Sequence, residues 1–362
     1  MTFTLPGRAQ LYLRPVQFAD SPIERDGELA RLAGGLNWFS AWELIAVEGG
    51  RRVLQRTVPV AELPADERLH AIATRFSAPR SPLKLGERVL RFDQPQVMGI
   101  LNMTPDSFSD GGKHADDAEA AAGAGVDMAS EGAAIIDVGG ESTRPGAQEV
   151  WEGDEIKRVV PVIERLARSG TLVSADTRKA GVMEAALAAG AHIVNDVSAL
   201  LWDDRALEIV ARAQCPVVLM HAGDPRQGAD GGHGYGDPLI EVYDWLEARI
   251  DAVAAAGVDR SRIIADPGIG FGKTLAHNLA LLNGLALFHG LGVPLLLGAS
   301  RKRIIGALSN EAPADQRLGG SIALALKGAD LGAQLLRVHD VPETVQALRV
   351  WRGMRDAALI GR

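Results

Sequence analysis

Eight short apolar runs, spaced along the last three quarters of this 362-residue chain, constrain its fold more than any other feature. They are Val97–Leu101, Ala133–Val138, Thr171–Ala175, His192–Val194, Pro216–Met220, Arg262–Ala265, Val293–Leu297 and Gln334–Val338. Short, unbroken runs of this kind read as strands buried on both faces. Helical patterns lie between most of them. Glu155–Ser169 carries Ile156, Val159, Val160, Ile163 and Leu166 on one face and stops at Gly170, and Leu239, Tyr243, Leu246, Ile250 and Val253 repeat that spacing up to Gly257. Asp340-Val-Pro-Glu343 has the residues of a helix start, with an N-cap Asp, an early Pro and a capping-box Glu. Eight strands alternating with helices over about 250 residues predict an α/β protein built as a (β/α)8 TIM barrel, with a doubly wound open sheet as the alternative.

The residues that follow the runs are polar and chemically varied. They include Asn102, Asp137, Asp176, Asn195, Met220-His221, Asp266, Ser300-Arg-Lys302 and Arg337-Val-His339. A barrel collects all such strand ends at one rim, where active sites of this fold lie. Two groups emerge. Thr143, Arg144, Lys302, Arg337 and His339 offer donors and positive charge suited to a phosphate or diphosphate. Asp176, Asn195 and Asp266 offer acceptors and one amide, suited to a flat heterocycle with a donor-rich edge, and Met220 and Phe271 could pack on its faces. An anion subsite beside a heterocycle subsite implies a substrate with both parts.

Several function classes are disfavoured. The formal net charge is −8, unlike the basic surface of a nucleic-acid binder, so an anionic ligand must be held by a local pocket. The histidines show no metal-protease spacing, and Gly270-Phe-Gly-Lys-Thr274 lacks the first glycine of a phosphate-binding loop, Pro267 standing in its place. Cys215, the sole cysteine, reads as a small buried hydrophobe. No apolar stretch reaches membrane-spanning length and the N-terminus lacks a signal-peptide pattern, so a cytoplasmic protein is expected.

Residues 1–95 stand outside the alternation. Gln10–Leu13 and Arg52–Val58 read as strands and Pro64–Phe76 as a helix, which predicts a small N-terminal α+β extension. The expected organisation is therefore an extension over 1–95, a barrel over 96–350 and a tail over 351–362. The Gly-rich stretch Gly223–Gly236 reads as a long loop after the fifth strand, either a lid or a tolerated surface loop.

Met98–Gly112 and Ile136-Asp-Val-Gly-Gly-Glu-Ser-Thr-Arg-Pro-Gly146 resemble the two signature segments of the dihydropteroate synthases. Asp266–Lys273, Ser300–Lys302 and Arg337–Asp340 are similar to further motifs of that family in the same order. The resemblance spans roughly residues 96–350. It implies a pterin-binding barrel that joins 6-hydroxymethyl-7,8-dihydropterin diphosphate to p-aminobenzoate, releasing pyrophosphate, in folate synthesis, and it marks the chain as a sulfonamide target. By motif position, Asp176, Asn195, Asp266 and Lys302 would hold the pterin. Thr143, Arg144, Arg337 and His339 would bind the diphosphate. Asn102 would ligate Mg²⁺, and Ser300, Pro145 and Phe271 would line the aminobenzoate site. Catalysis would fall to Asp176, Lys302, Arg337 and His339. Thr104–Gly112 would be a mobile cover, and a homodimer is implied. A related pterin-barrel methyltransferase would keep the acceptors but has no use for Thr143-Arg144 and Arg337-His339. The segment after Met220-His221 is one residue shorter than the family's usual arrangement, and residues 1–95 exceed its usual length.

Overall fold

A computed structural model describes residues 5–103, 118–142, 148–222 and 234–360. An N-terminal module comes first: β1 (Gln10–Ala19), β2 (Ala30–Arg31), β3 (Trp38–Glu48), β4 (Arg51–Pro59) and α1 (Glu67–Ser77). A two-stranded hairpin follows, β5 (Leu83–Leu85) with β6 (Arg88–Leu90). The alternation then runs β7 (Gln96–Asn102), α2 (Ala118–Glu131), β8 (Ile135–Gly139), α3 (Glu152–Arg168), β9 (Val173–Asp176), α4 (Ala180–Ala188), β10 (Ile193–Asp196) and α5 (Ala206–Ala213). It continues with β11 (Val217–Met220), α6 (Pro238–Ala255), β12 (Ile263–Asp266), α7 (Leu275–Asn283), β13 (Leu296–Leu297), α8 (Arg303–Leu308), α9 (Leu318–Asp330), β14 (Leu335–Val338) and α10 (Val341–Ile360).

All eight expected runs are strands. They pair in parallel in the order β12-β11-β10-β9-β8-β7-β14-β13, and an Ala265–Leu295 bridge joins the two ends, closing the barrel. The seventh run contributes only Leu296–Leu297 as a strand because Pro294 has no N–H to give the ladder, while its carbonyl still accepts from the Ala265 N–H at 2.9 Å. The helices form where the apolar spacing places them. α3 buries Val159, Val162, Ile163 and Leu166 and opens on Glu152, Asp154 and Glu155, which suit the positive end of its dipole. α6 starts at Pro238 behind Asp237, whose carboxylate caps the Ile240 N–H. Among the described residues no helix is long and apolar enough to cross a membrane. Cys215 is buried, and burial pushes its thiol up to about 11, consistent with a packing role.

The barrel's N-terminal end is filled by side chains. Met98, Ile135, Leu172, Ile193, Val218, Ile264, Leu296 and Leu335, one from each strand or its entry, form one cluster with Leu83, Leu85, Leu90 and Phe92. The β5–β6 hairpin thus plugs the bottom of the barrel, and the opposite rim is left for chemistry. The hairpin lies within the expected extension yet packs as part of the barrel. The expected tail from residue 351 continues α10, with Trp351 and Arg355 buried.

The N-terminal module contains both expected strands and the helix, plus two strands absent from the sequence expectation, the short β2 and the long β3. β3 pairs antiparallel with β1 on one side and with β2 and β4 on the other. Its residues Phe39, Ala41, Trp42, Leu44, Ile45 and Ala46 are all buried, so the in–out alternation that would mark a half-exposed strand is missing. The module meets the barrel through specific polar contacts. Tyr12 Oη donates to the Asp244 carboxylate (2.8 and 2.9 Å), Arg75 pairs with Glu247 (2.8 Å), Arg52 with Asp237 (2.6 Å), and Asn37 Nδ2 donates to the Ala329 carbonyl (2.7 Å). Tyr12→Phe removes a half-buried hydrogen bond to a carboxylate and should lower stability by about 1–2 kcal/mol in urea denaturation. An unchanged midpoint would count against the module being fastened through Tyr12.

Candidate active site

The barrel's C-terminal rim gathers most of the expected residues around one guanidinium. Arg337, from β14, donates from Nε to Asp137 Oδ2 and from Nη2 to Asp176 Oδ2, both at 2.6 Å. Asn195 at the end of β10 donates to the same Asp137 oxygen at 3.0 Å. Asp137 is 0% exposed, and its Oδ1 has no partner among the described residues. Parallel strands in register explain the convergence: Asp137, Asp176 and Asn195 sit on the neighbouring strands β8, β9 and β10, with Gly139 opposite Asp176 and Asp176 opposite Asn195.

Asp266 ends β12, opposite Met220 on β11, and its Oδ1 accepts the Gly268 N–H at 2.7 Å. Met220 is buried. Lys302 donates to the Ile269 carbonyl and holds its ammonium 4.4 Å from the centre of the Phe271 ring. Ser300 and His339 form a pair across the next two strand ends. Ser300 Oγ accepts the His339 backbone N–H at 3.2 Å and lies 3.1 Å from its Nδ1. Asn102 ends β7 opposite Gly139, half-buried at the rim.

Burial sets the electrostatics. It pushes the Asp176 carboxyl up to about 7, with Arg337 opposing the rise and Asp137, Glu155 and Asp196 adding to it. Burial also raises Asp266 against the pull of Lys302, and lowers the Lys302 ammonium to about 8 against the pull of Asp266. Burial works against the charge on Arg337, but Asp137 and Asp176 outweigh it and hold the guanidinium more firmly protonated than usual. The rim therefore concentrates carboxylates and cations whose charge states are poised by one another, a common property of reactive sites.

Arg337, expected among the diphosphate donors, directs two of its donors to Asp137 and Asp176 in the acceptor group and so joins the two groups. Two residues carry contacts that their sequence positions did not assign to either group. Asp137, present among the strand-end residues, is the one charged residue inside an apolar strand, which is itself the signal of a purposeful buried charge. Lys273, the last residue of the Asp266–Lys273 motif, directs its ammonium at the His221, Gly268 and Phe271 carbonyls. Thr143, Arg144 and Pro145, the expected cover at Thr104–Gly112 and most of Gly223–Gly236 lie outside the described residues.

A sequence profile described as "Pterin binding enzyme" matches residues 98–339, the stretch from the first barrel strand to the last rim histidine. The dihydropteroate synthase of Escherichia coli K12 is 47% identical over 263 residues, covering 72% of this chain and 92% of that protein. The chain belongs to the dihydropteroate synthase family. The Bacillus subtilis dihydropteroate synthase is 44% identical, covering 71% of this chain and 88% of its own. Among solved structures, Xanthomonas albilineans dihydropteroate synthase with 4-aminobenzoic acid superposes with a TM-score of 0.71 at 49% identity, covering 76% of this chain and 98% of that one. A Yersinia pestis dihydropteroate synthase–sulfonamide complex gives 0.72 at 45% identity, covering 76% and 100%. Membership of this family agrees with the closed parallel barrel and with the acceptor-rich rim.

Proposed function

We propose that this chain condenses 6-hydroxymethyl-7,8-dihydropterin diphosphate with p-aminobenzoate, giving 7,8-dihydropteroate and pyrophosphate. The observation that carries this reading is the convergence of Asp137, Asp176, Asn195, Asp266, Lys302 and Arg337 at one barrel rim, in a chain of this family. Asp176, Asn195, Asp266 and Lys302 would hold the pterin. A carboxylate can take two parallel N–H bonds from an amino-amidine edge, and Asn195 can turn either end of its amide to the ring. Arg337, His339, Thr143 and Arg144 would face the diphosphate, and Ser300, Pro145, Phe271 and Met220 would border the rings.

In the proposed reaction the bond from the pterin methylene carbon to the diphosphate oxygen breaks and that oxygen keeps the electron pair. Arg337 and His339 stabilise the charge that develops there. Asp176, beside the ring, favours the electron-deficient methylene left behind. The aniline nitrogen forms the new C–N bond and gives its proton to solvent water. An arylamine is nucleophilic at neutral pH, so no strong general base is needed.

Among the described residues no group of three or more His, Cys, Asp or Glu side chains is placed to hold a metal ion. The rim instead offers Asn102 Oδ1 as a single hard oxygen, a donor set that fits Mg²⁺ carried largely by diphosphate oxygens and water. When bound, Mg²⁺ would neutralise charge on the leaving diphosphate. The same proposal includes a cytoplasmic location and a homodimer, the second of which sedimentation velocity reads directly.

The direct test is chromatographic detection of dihydropteroate from the two substrates and Mg²⁺; its absence overturns the proposal. A second expectation follows from Asp176. Its carboxyl titrates near 7, and only the ionised form accepts pterin N–H groups at both oxygens. Affinity for an unreactive pterin should be highest between that pH and about 8, where the Lys302 ammonium still carries its charge, and fall by up to about tenfold per unit below 7. Calorimetry from pH 5.5 to 8.5 tests this, and Asp176→Asn should flatten the profile. A flat wild-type profile would remove Asp176 from the pterin contacts.

A further inference from the structure

The proposed chemistry leaves one charged residue of the Asp266–Lys273 motif without a task. Lys273 Nζ donates to the carbonyls of His221 (2.9 Å), Gly268 (2.9 Å) and Phe271 (3.0 Å), and it lies 3.0 Å from His221 Nδ1. A half-buried ammonium needs acceptors to replace the water it gives up, and here neutral groups supply them from two separate elements. The end of β11 gives His221, and the loop after β12 gives Gly268 and Phe271. The loop folds back on itself through left-handed backbone at Gly268, Gly270 and Gly272, which turns its carbonyls inward. The approach is close: a Cβ on Gly268 would stand 1.9 Å from the His221 carbonyl oxygen.

The opposite side of this folded loop faces the site. The Ile269 carbonyl accepts from Lys302, and the Phe271 ring lies 4.4 Å from the Lys302 ammonium. Both contacts sit on the segment whose two ends, Gly268 and Phe271, are gripped by Lys273. Asn278 supports the same loop from α7, accepting the Gly270 N–H at 2.7 Å and donating to the Lys273 carbonyl at 3.2 Å.

We propose that Lys273 is a positioning residue, an internal tethered cation that holds the Gly268–Phe271 loop in the shape presenting Phe271 and the Ile269 carbonyl to Lys302 and the arylamine. This rests on the synthase reading of the rim. A cation held by neutral oxygens can be replaced by a free one of the same chemistry. Lys273→Ala should lower kcat/KM for p-aminobenzoate roughly 10- to 100-fold, as small misplacements near reacting groups do. KM for the pterin diphosphate should move much less. Ethylammonium should restore a large part of the loss, because it supplies three N–H groups on a short stem. Tetramethylammonium, which has none, should restore nothing. Lys273→Arg should not substitute, since a planar fork cannot aim at converging carbonyls as an ammonium does.

Lys273→Met keeps the stem without the donors and provides the second variant, with the fold of each checked by thermal melting. Unchanged arylamine KM in the folded variants, equal rises in both KM values without ammonium rescue, or loss of the folded state in both variants would each overturn the inference. The wild-type protein is assayed first. Failure of the wild type to form dihydropteroate overturns the reading of the site itself, whereas wild-type turnover beside an unaltered Lys273→Ala variant overturns this inference alone.

Discussion

Arg337→Ala should lower kcat/KM for dihydropteroate formation roughly 30- to 1000-fold and destabilise the protein by about 3–5 kcal/mol. Both effects come from one geometry. In the free protein the guanidinium bonds Asp137 and Asp176 at 2.6 Å each. Asp137 is fully buried, and without Arg337 its carboxylate keeps, among the described residues, only the Asn195 amide. A buried anion that loses its cation carries its desolvation uncompensated. The stability loss should depend on pH. Arg337 opposes the rise of the Asp176 carboxyl, so without it that carboxyl is raised further above its unfolded value, and the variant is relatively more stable at low pH and loses stability as pH climbs toward the raised folded value. Urea melts at pH 5.5 and 8 should therefore show the larger deficit at pH 8. Adding Asp137→Asn to Arg337→Ala should recover much of the stability and none of the activity, which separates the two roles of the arginine. Wild-type kcat/KM in Arg337→Ala would remove it from the reaction.

Lys302→Ala should lower kcat/KM by a similar roughly 30- to 1000-fold but with the opposite signature in stability. The Lys302 ammonium touches the Ile269 carbonyl and the Phe271 ring, and burial lowers it to about 8 despite Asp266. The folded protein thus holds this charge against its desolvation, as sites built for a ligand do. Removing it should leave the melting temperature unchanged or raise it while pterin affinity falls. Steady-state kinetics, calorimetry and a thermal melt together check this. A large drop in melting temperature with wild-type pterin affinity would make Lys302 a structural residue.

The barrel was readable because each of its strands is a short apolar run ended by polar residues, and even the shortened β13 is explained by Pro294. β3 was hidden because burial on both faces erased its alternation, and its antiparallel partners β1, β2 and β4 reveal it. Asp340 shows how a local motif can be right in place and different in partner. α10 begins beside it as expected, and its carboxylate receives the Arg301 guanidinium. The site divides similarly. Asp176, Asn195, Asp266, Lys302 and Arg337 could be placed at one rim from strand ends alone. That Arg337 bridges Asp137 and Asp176 depends on register between strands 200 and 161 residues away in sequence, which no local pattern encodes. Lys273 took no role from the sequence for the same reason, since its cage is completed by a carbonyl from another strand end.

The most direct test of the account is pyrophosphate release from 6-hydroxymethyl-7,8-dihydropterin diphosphate by the purified chain, measured with and without p-aminobenzoate and Mg²⁺. The account predicts sustained release, matched by dihydropteroate, only when all components are present, with both signals lost together in Arg337→Ala. Release that ignores p-aminobenzoate, or tight pterin binding with no release under any condition, would contradict it.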